Sequence, residues 1–344
     1  MTHWRFITEV GDAAYNLAVT EVILRSVGNL RANNTLRIAY CNPNSVIIGI
    51  QHIPSQIINI PELRNLKFNI ARRLTSGSPI FFTDKQIAIQ FFVYDQAPSK
   101  NILRNKIISC IIEAFKQMGL EVNFQEPYKI LCNGRMIAYL DTLRINHGLS
   151  ISLFINVEND ADYREKILTD KYAANLKNYL YGITNVNFEL GGNFSKTELI
   201  ETFKSAIKKE FEVSFSNEHL NQYENLLLKS HIEKHTMSEW ILGFRNISEF
   251  ISPDVKSITI NTNEGFITVV ASTNRGLITN LHISGDFYIY PPEALNALEV
   301  GLKFSPADDS YIQDYVARYI KIAKVQIFGI KEIDIVEAIK KAVL

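Results

Sequence analysis

The alternation of apolar and polar residues over the first 160 positions predicts many short strands and two long helices. Asp12 precedes Ala14, Leu17 and Val22, which recur at helical spacing, and its carboxylate can cap the first free backbone N–H groups. A second amphipathic helix is predicted over residues 102–118, where Gly119 ends it. Predicted strands cover residues 35–40, 45–50, 68–72, 80–82, 87–94 and 149–157. Because strands and helices do not alternate regularly, the pattern indicates an α+β fold.

A hairpin and a second, smaller domain are also predicted. Asn133-Gly134 stands between apolar runs, and both residues suit the positive φ angles of a tight I′ turn. Helices are predicted over residues 196–210 and 217–234, followed by a three-stranded meander. The predicted strands of that meander cover residues 257–262, 265–272 and 277–284, and the predicted helices after it cover residues 293–300, 309–322 and 331–343. We therefore expect a large domain over residues 1–236 and a small α+β accessory domain over residues 237–344.

Composition and charge exclude several classes of protein. The 344 residues contain 36 basic and 36 acidic side chains, so the basic surplus typical of nucleic-acid binders is missing. No apolar run has the length of a signal peptide or a membrane span, so we expect a cytoplasmic protein without membrane contact. Cys41, Cys110 and Cys132 lack metal-ligand spacing and are interpreted as buried thiols. His231 and His235 are four residues apart on a predicted helix, where a solvated face is preferred to a metal site.

Seven short motifs occur in the order and at the spacing of the lipoate–protein ligase family, which this chain resembles over nearly its whole length. No single motif is specific, but their shared order is. They are Ala-Ala-Tyr-Asn-Leu-Ala at 13–18, Thr-Leu-Arg at 35–37 with the strand at 46–51 that ends in Gln51, Arg-Arg-Leu-Thr-Ser-Gly-Ser at 72–78, Asn-Gly-Arg at 133–135, Asn-His-Gly at 146–148, Ser-Glu-Trp at 238–240 and the segment 276–288 containing Gly-Asp-Phe.

The resemblance implies a fold, a reaction and its partners. The fold is a mixed or antiparallel sheet of the biotin/lipoate ligase type, with a C-terminal accessory domain. The implied substrates are ATP with Mg²⁺ and lipoate, or octanoate, which form an acyl-adenylate without a permanently bound cofactor. The acyl group passes to a lysine of a lipoyl domain, as in a 2-oxoacid dehydrogenase E2 subunit or the glycine-cleavage H protein. We expect a monomer, no nucleic-acid partner and no bound metal.

The arginine-containing loop is the first part of the implied site. The family places an Arg-Arg-x-(Ser/Thr)-Gly-Gly-Gly loop against the adenylate, and here Gly77 alone remains of the three glycines. Arg73 is the preferred phosphate contact because a guanidinium offers a bidentate fork. Since side chains alternate along a strand, we expect either Arg72 or Arg73 to face solvent. The resemblance adds further binding candidates, namely Thr75, Ser76, Ser78, Gln51, Gln86 and His147.

The largest departure concerns the family's catalytic lysine, because Met136 stands after Gly134-Arg135. A thioether cannot neutralise a phosphate. If Asn133-Gly134 form the turn, Lys129 pairs with Ala138 and lies diagonally from Met136, roughly 7–8 Å away. Lys129 is therefore the candidate catalytic cation by relocation, against the alternative of a solvated strand lysine. Phe82 likewise stands where the family has a polar histidine.

Two functions remain open after these departures. The chain is a lipoate–protein ligase or lipoyltransferase in which Lys129 replaces the missing lysine. Alternatively, it is an inactive paralogue that binds lipoate, its adenylate or a lipoyl domain, or that serves as partner subunit of an active ligase. Loss of the lysine, two glycines and a polar pair from one pocket is explained together by the second function. The enzyme is nevertheless preferred, because such a scaffold tolerates slow chemistry and Lys129 offers a cation for it.

Overall fold

The computed structural model describes residues 2–97, 101–175, 182–192, 194–243, 255–262 and 265–344. Its architecture is α+β with mixed and antiparallel sheets, as predicted. Within the described ranges, no helix is both long enough and apolar enough to cross a bilayer.

An eight-stranded sheet forms the centre of the large domain, in the order β11-β1-β2-β6-β10-β9-β8-β7. The three strands at one edge are parallel, and the remaining neighbours are antiparallel, so the sheet is mixed. Its strands are β1 Thr2–Gly11, β2 Thr35–Cys41, β6 Gln86–Tyr94, β7 Val122–Gln125, β8 Lys129–Cys132, β9 Arg135–Ile145, β10 Gly148–Asn156 and β11 Val213–Asn217. A small sheet of β3 Ser45–Ile48, β4 Asn69–Arg72 and β5 Ile80–Phe82 lies beside it.

Helices cover the central sheet as the apolar periodicity requires. The helices before the accessory strands are α1 Ala13–Gly28, α2 Pro54–Ile57, α3 Ile60–Asn65, α4 Ile102–Gln117, α5 Ala161–Ile167, α6 Asp170–Asn175, α7 Val186–Glu189, α8 Lys196–Phe211, α9 Gln222–Thr236 and α10 Ser238–Leu242. The predicted start of α1 is confirmed, since the Asp12 carboxylate accepts from the Tyr15 N–H at 2.7 Å. Helices α4 and α8 pack their apolar faces together in the largest core cluster.

The sequence reasoning missed two edge strands and the strand next to one of them. β7 and β11 are short and carry polar residues at alternate positions, so little hydrophobic signal marks them. β1 contains Arg5, which looks like a surface residue in the sequence. In the fold Arg5 is buried and donates to both carboxylate oxygens of Glu224, at 2.6 and 2.8 Å. Because Glu224 pairs with Arg5, this charged side chain can be buried in the strand although the two residues are distant in the sequence.

The accessory domain follows the predicted meander. Its strands are β12 Lys256–Asn261, β13 Phe266–Asn274, β14 Leu277–Asp286, β15 Tyr288–Tyr290 and β16 Gln326–Phe328, and its helices are α11 Ala294–Leu302, α12 Asp309–Ile322 and α13 Glu332–Val343. β15 and β16 form a separate two-stranded sheet that was not predicted. The helices and the meander enclose a second apolar core.

The histidines of α9 correct one prediction. His235 is 1% exposed rather than solvated, because α9 packs against α1 and the His235 Nε2 lies 2.6 Å from the Glu21 carboxylate. Burial by itself would raise the pKa of Glu21, but the hydrogen bond with His235 and the charge of Lys234 outweigh it and lower that pKa to about 2. These side chains join two helices of the large domain.

Candidate functional site

The implied active-site region is a packed cluster between the small sheet, strand β9 and the accessory strand β15. We call it the Arg73 chamber. Its apolar members are buried side chains of both domains, and they include Phe82, Tyr128, Met136, Tyr139, Phe154 and Tyr288. Phe82 packs edge-on against Phe154 with ring centroids 5.2 Å apart, and Tyr128 stacks on Tyr139 at 4.8 Å. Aromatic rings therefore pack against the loop that the resemblance assigns to the acyl-adenylate.

Arg73 reaches into this chamber, but all three nitrogens of its guanidinium donate to protein oxygens. Nε donates to Thr75 Oγ1 at 2.9 Å, and Nη1 donates to the Ile47 carbonyl at 3.1 Å. Nη2 lies within hydrogen-bond distance of two loop carbonyls, those of Ser76 and Ser78, at 2.6 and 2.9 Å. The guanidinium carbon also lies 5.6 Å from the centre of the Tyr139 ring. These contacts make Arg73 the internal brace of its own loop.

Arg72 is buried as well, which corrects the expectation that one of the two arginines faces solvent. Both side chains are 2% exposed. β4 ends at Arg72, so strict strand alternation does not extend to Arg73. The short helix α10 covers Arg72, which donates to the Ile241 carbonyl at 2.8 Å while its own carbonyl accepts from the Trp240 indole at 2.9 Å.

The loop of residues 75–78 is also held by the accessory domain. Ser76 Oγ accepts from the Ile289 N–H at 2.8 Å, and Ser78 Oγ donates to the Asp286 carboxylate. Thr75 Oγ1 donates to Asp141 at 2.6 Å, and burial raises the pKa of that carboxyl despite the neighbouring Arg73. Gly77 has a φ of +95°, and a Cβ there would collide with the Tyr139 hydroxyl. The loop is therefore in contact with the accessory domain, with Asp141 and with Tyr139.

The hairpin forms as predicted at Asn133-Gly134, with positive φ at both residues. Cys132 pairs with Arg135, but a bulge after Ile130 shifts the remaining register. Lys129 consequently pairs with Tyr139, and the predicted partner, Ala138, is wrong. The Lys129 ammonium lies 5.4 Å from the centre of the Tyr128 ring. Among the described residues it makes no side-chain hydrogen bond or ion pair.

The remaining binding candidates are dispersed. Gln51 joins the chamber, since its amide nitrogen lies 3.4 Å from the Gly77 carbonyl and 3.3 Å from that of Gly285. Gln86 belongs to a separate buried network and donates to Asp160 at 2.8 Å. His147 lies exposed at the β9–β10 turn, where its ring packs against Tyr94, and does not join the chamber.

His52 is a chamber residue that the sequence reasoning missed. Its Nε2 lies 3.1 Å from the Gly77 carbonyl, and burial, reinforced by the charge of Arg73, lowers its pKa to about 3. The imidazole is therefore neutral at physiological pH. Its position directly after Gln51 was the only available signal. The three cysteines are buried free thiols, and burial raises the pKa values of Cys41 and Cys110 to about 12.

Comparison with known proteins agrees with this architecture. Residues 12–212 match the family described as the lipoyl protein ligase A/B catalytic domain. The chain belongs to this family. An octanoyltransferase LipM from Staphylococcus aureus is 23% identical over 274 residues, which cover 69% of this chain and 98% of that protein. The LipM of Brevibacillus brevis is 30% identical over 128 residues, covering 36% and 44% of the two chains.

Solved structures show the same fold. The complex of P. falciparum LipL1 with lipoate superposes with a TM-score of 0.70 at 14% identity and covers 98% of both chains. A bipartite lipoate protein ligase from Thermoplasma acidophilum, described together with its E2 lipoyl domain, gives a TM-score of 0.64 at 16% identity. That match covers 72% of this chain and 98% of the other. The lipoate-ligase fold thus extends over the large domain, and the LipL1 match includes the accessory domain.

Proposed function

We propose that this chain is a non-catalytic member of the lipoyl and octanoyl transferase family that binds a lipoyl domain, alone or as partner subunit of an active ligase. One observation carries the proposal. The guanidinium of Arg73 donates to carbonyls of its own protein, and Met136 is a buried apolar member of the chamber.

The electrostatics of adenylation support this choice. Attack of a carboxylate on ATP builds negative charge at the α-phosphate, which needs a cation facing it. Removing one such donor costs about 3 kcal/mol of transition-state stabilisation, or a rate loss of roughly 10²-fold or more. For Arg73 to face a phosphate, it would have to give up the buried hydrogen bonds that it donates to the Ile47 and Ser78 carbonyls. ATP with Mg²⁺ and lipoate are therefore not expected to react on this chain alone.

The proposed partner follows from the fold that is retained. A related T. acidophilum ligase is described with its E2 lipoyl domain. A chain that keeps this scaffold but fills its chamber can still present the outer surface of a lipoyl-domain binder. We expect the lipoyl domain of a 2-oxoacid dehydrogenase E2 subunit or a glycine-cleavage H protein to bind the full chain.

The test combines a binding measurement with two activity measurements. The full chain is titrated with an apo lipoyl domain by calorimetry, and is separately incubated with lipoate or octanoate, ATP–Mg²⁺ and the same domain. We expect saturable binding, no pyrophosphate above the protein-free rate and no change in acceptor mass. A parallel incubation with synthetic lipoyl-adenylate separates adenylation from transfer. Acylation of the acceptor in either incubation would overturn the proposal, as would the lack of any binding.

A second candidate function is acyl transfer through Lys129. The observation in its favour is the position of this ammonium against the Tyr128 ring, without a side-chain hydrogen bond or ion pair among the described residues. Arg73 would steady the loop while Lys129 approached the acyl phosphate. If acylation is detected, Lys129→Met should lower its rate about 100-fold, as expected for loss of an electrostatic donor. The matched control is Lys67→Met, on an exposed turn. Equal rates for the Lys129 variant and the native chain would exclude the relocation.

A further inference from the structure

A second concave region lies at the contact between the two domains and is separate from the Arg73 chamber. This interdomain cavity has a volume of about 520 Å³, within the range typical of small-molecule sites. The large domain contributes Asn101, Arg104, Glu126, Pro127, Thr142 and Arg144 to its lining. The accessory domain contributes the rings of Tyr288, Tyr290 and Phe328. Neither domain alone encloses the space.

The polar side of the cavity contains two arginines, each paired with a carboxylate. Arg104 donates in bidentate fashion to both carboxylate oxygens of Glu126, at 2.9 Å each, which offsets the charge of this carboxylate in the lining. Arg144 donates to Asp95 at 2.6 Å and to the Asn101 side-chain oxygen at 3.3 Å. These contacts use Nη1 and Nη2 of Arg144, while its Nε–H has no hydrogen-bond partner among the described residues.

The arginines are held in place before any ligand arrives. Their side chains are 12% and 10% exposed, and each ion pair fixes the plane of a guanidinium. Thr142 Oγ1 adds a buried hydroxyl that has no hydrogen-bond partner in the described part of the chain. The Nε–H of Arg144 and the Thr142 hydroxyl are donors that can recognise a carboxylate or phosphate oxygen at little ordering cost.

The opposite side of the cavity is aromatic. Tyr288 and Phe328 lie with ring centroids 6.5 Å apart, and the Tyr288 hydroxyl donates to the Thr142 carbonyl at 2.6 Å, which joins the two sides. Tyr290 is 38% exposed at the cavity mouth. Such surfaces accept a planar ring by stacking or edge contact.

We propose that the interdomain cavity binds a small molecule in which a planar ring carries one anionic group. A nucleoside monophosphate and an aromatic carboxylate share this chemistry. The anion contacts Arg104, Arg144 and Thr142, and the ring lies against Tyr290 and Phe328. This site is independent of whether the chain acylates a lipoyl domain.

The test is calorimetric titration of the full chain with AMP and, separately, with 4-hydroxybenzoate. Adenosine and inorganic phosphate supply the ring and the anion alone. Tyr290→Ala removes a ring at the mouth of the cavity, and Tyr311→Ala is the matched control, because Tyr311 is also 38% exposed but lies outside the cavity. Arg144→Met is combined with Asp95→Asn, so that no buried carboxylate is left unpaired.

We expect one-site saturation by AMP or by 4-hydroxybenzoate, and the ligand that saturates identifies the source of the anion. Tyr290→Ala and the double variant should each weaken binding about tenfold, which corresponds to about 1.4 kcal/mol. Tyr311→Ala should leave the dissociation constant unchanged. The proposal is overturned if neither ligand saturates, if the variants bind as tightly as the native chain, or if adenosine or phosphate alone binds as tightly as AMP.

Discussion

The Arg73 chamber and the interdomain cavity are neighbours that use the same residue type differently. In the chamber, the guanidinium of Arg73 donates to oxygens of its own loop, and aromatic side chains occupy the surrounding space. In the cavity, Arg104 and Arg144 are steadied by carboxylates while the space in front of them is open. A buried arginine therefore indicates a binding site only when donors and volume remain after its internal contacts are made.

Among substitutions in these two regions, Arg73→Met should cause the largest change in the free energy of unfolding. This substitution removes the buried hydrogen bonds that Arg73 donates to the Ile47, Ser76 and Ser78 carbonyls, so we expect a loss of about 3–5 kcal/mol in the free energy of unfolding. Urea denaturation measures it. Arg318→Met, at an exposed position, is the control and should change stability by less than about 0.5 kcal/mol. A small effect at Arg73 would show that its donors are available for a ligand.

A pH effect on the chamber should be next in size. His52 has a folded-state pKa of about 3, below that of an unfolded histidine, so the unfolded chain binds the extra proton. The contribution of the neutral His52 to stability is fully present above about pH 6.5. It is lost as the pH falls from there toward 3, by at most about 1.4 kcal/mol per pH unit. Urea titrations between pH 7 and 5 check this.

The matched variant for the pH effect is His52→Gln, which keeps an amide donor for the Gly77 carbonyl and cannot titrate. Its unfolding free energy should vary less with pH than that of the native chain over this interval. Parallel pH profiles for the two proteins would contradict the assignment of the effect to His52.

A smaller effect is expected where the accessory domain meets the chamber. Ser76→Ala removes the hydroxyl that accepts from the Ile289 N–H, at a cost of about 1–2 kcal/mol. Hydrogen exchange of the Ile289 amide should accelerate, whereas Ser310→Ala, at an exposed position of α12, should leave it unchanged. Unaltered exchange at Ile289 would mean that the domains are held together elsewhere.

The smallest effect should come from Tyr290→Ala on stability. Tyr290 lies at the cavity mouth and is not part of the chamber cluster, so we expect a change below about 0.5 kcal/mol in the free energy of unfolding. Thermal unfolding of the native chain and the variant measures it. A loss above about 2 kcal/mol would show that this ring is a structural part of the domain contact rather than an available wall.

Much of the fold was predictable because it depends on local periodicity. The capping Asp12, the helix ended by Gly119 and the Asn133-Gly134 turn can each be recognised from a few neighbouring residues. β1 was not predicted, because its buried Arg5 pairs with Glu224, which is 219 residues away in the chain. Nothing in a local pattern reports such a pair.

The site was less predictable for the same physical reason. Resemblance placed Arg73 and the Ser76–Ser78 loop in one chamber, and they do lie together. Whether the Arg73 donors are free depends on the Ile47 carbonyl and on Tyr139, which are distant in the chain. The bulge after Ile130, which moved Lys129 opposite Tyr139, has no strong sequence signal either.

Tyr288 gives the two regions a shared boundary. Its ring belongs to the chamber cluster and also lines the interdomain cavity. A molecule that binds in the cavity and favours one placement of this ring therefore changes the free energy of the chamber. By thermodynamic linkage, the chamber changes the binding free energy of that molecule by the same amount. A compound that binds in the interdomain cavity would thus be sensitive to the packing of the chamber, and would change that packing, without entering it.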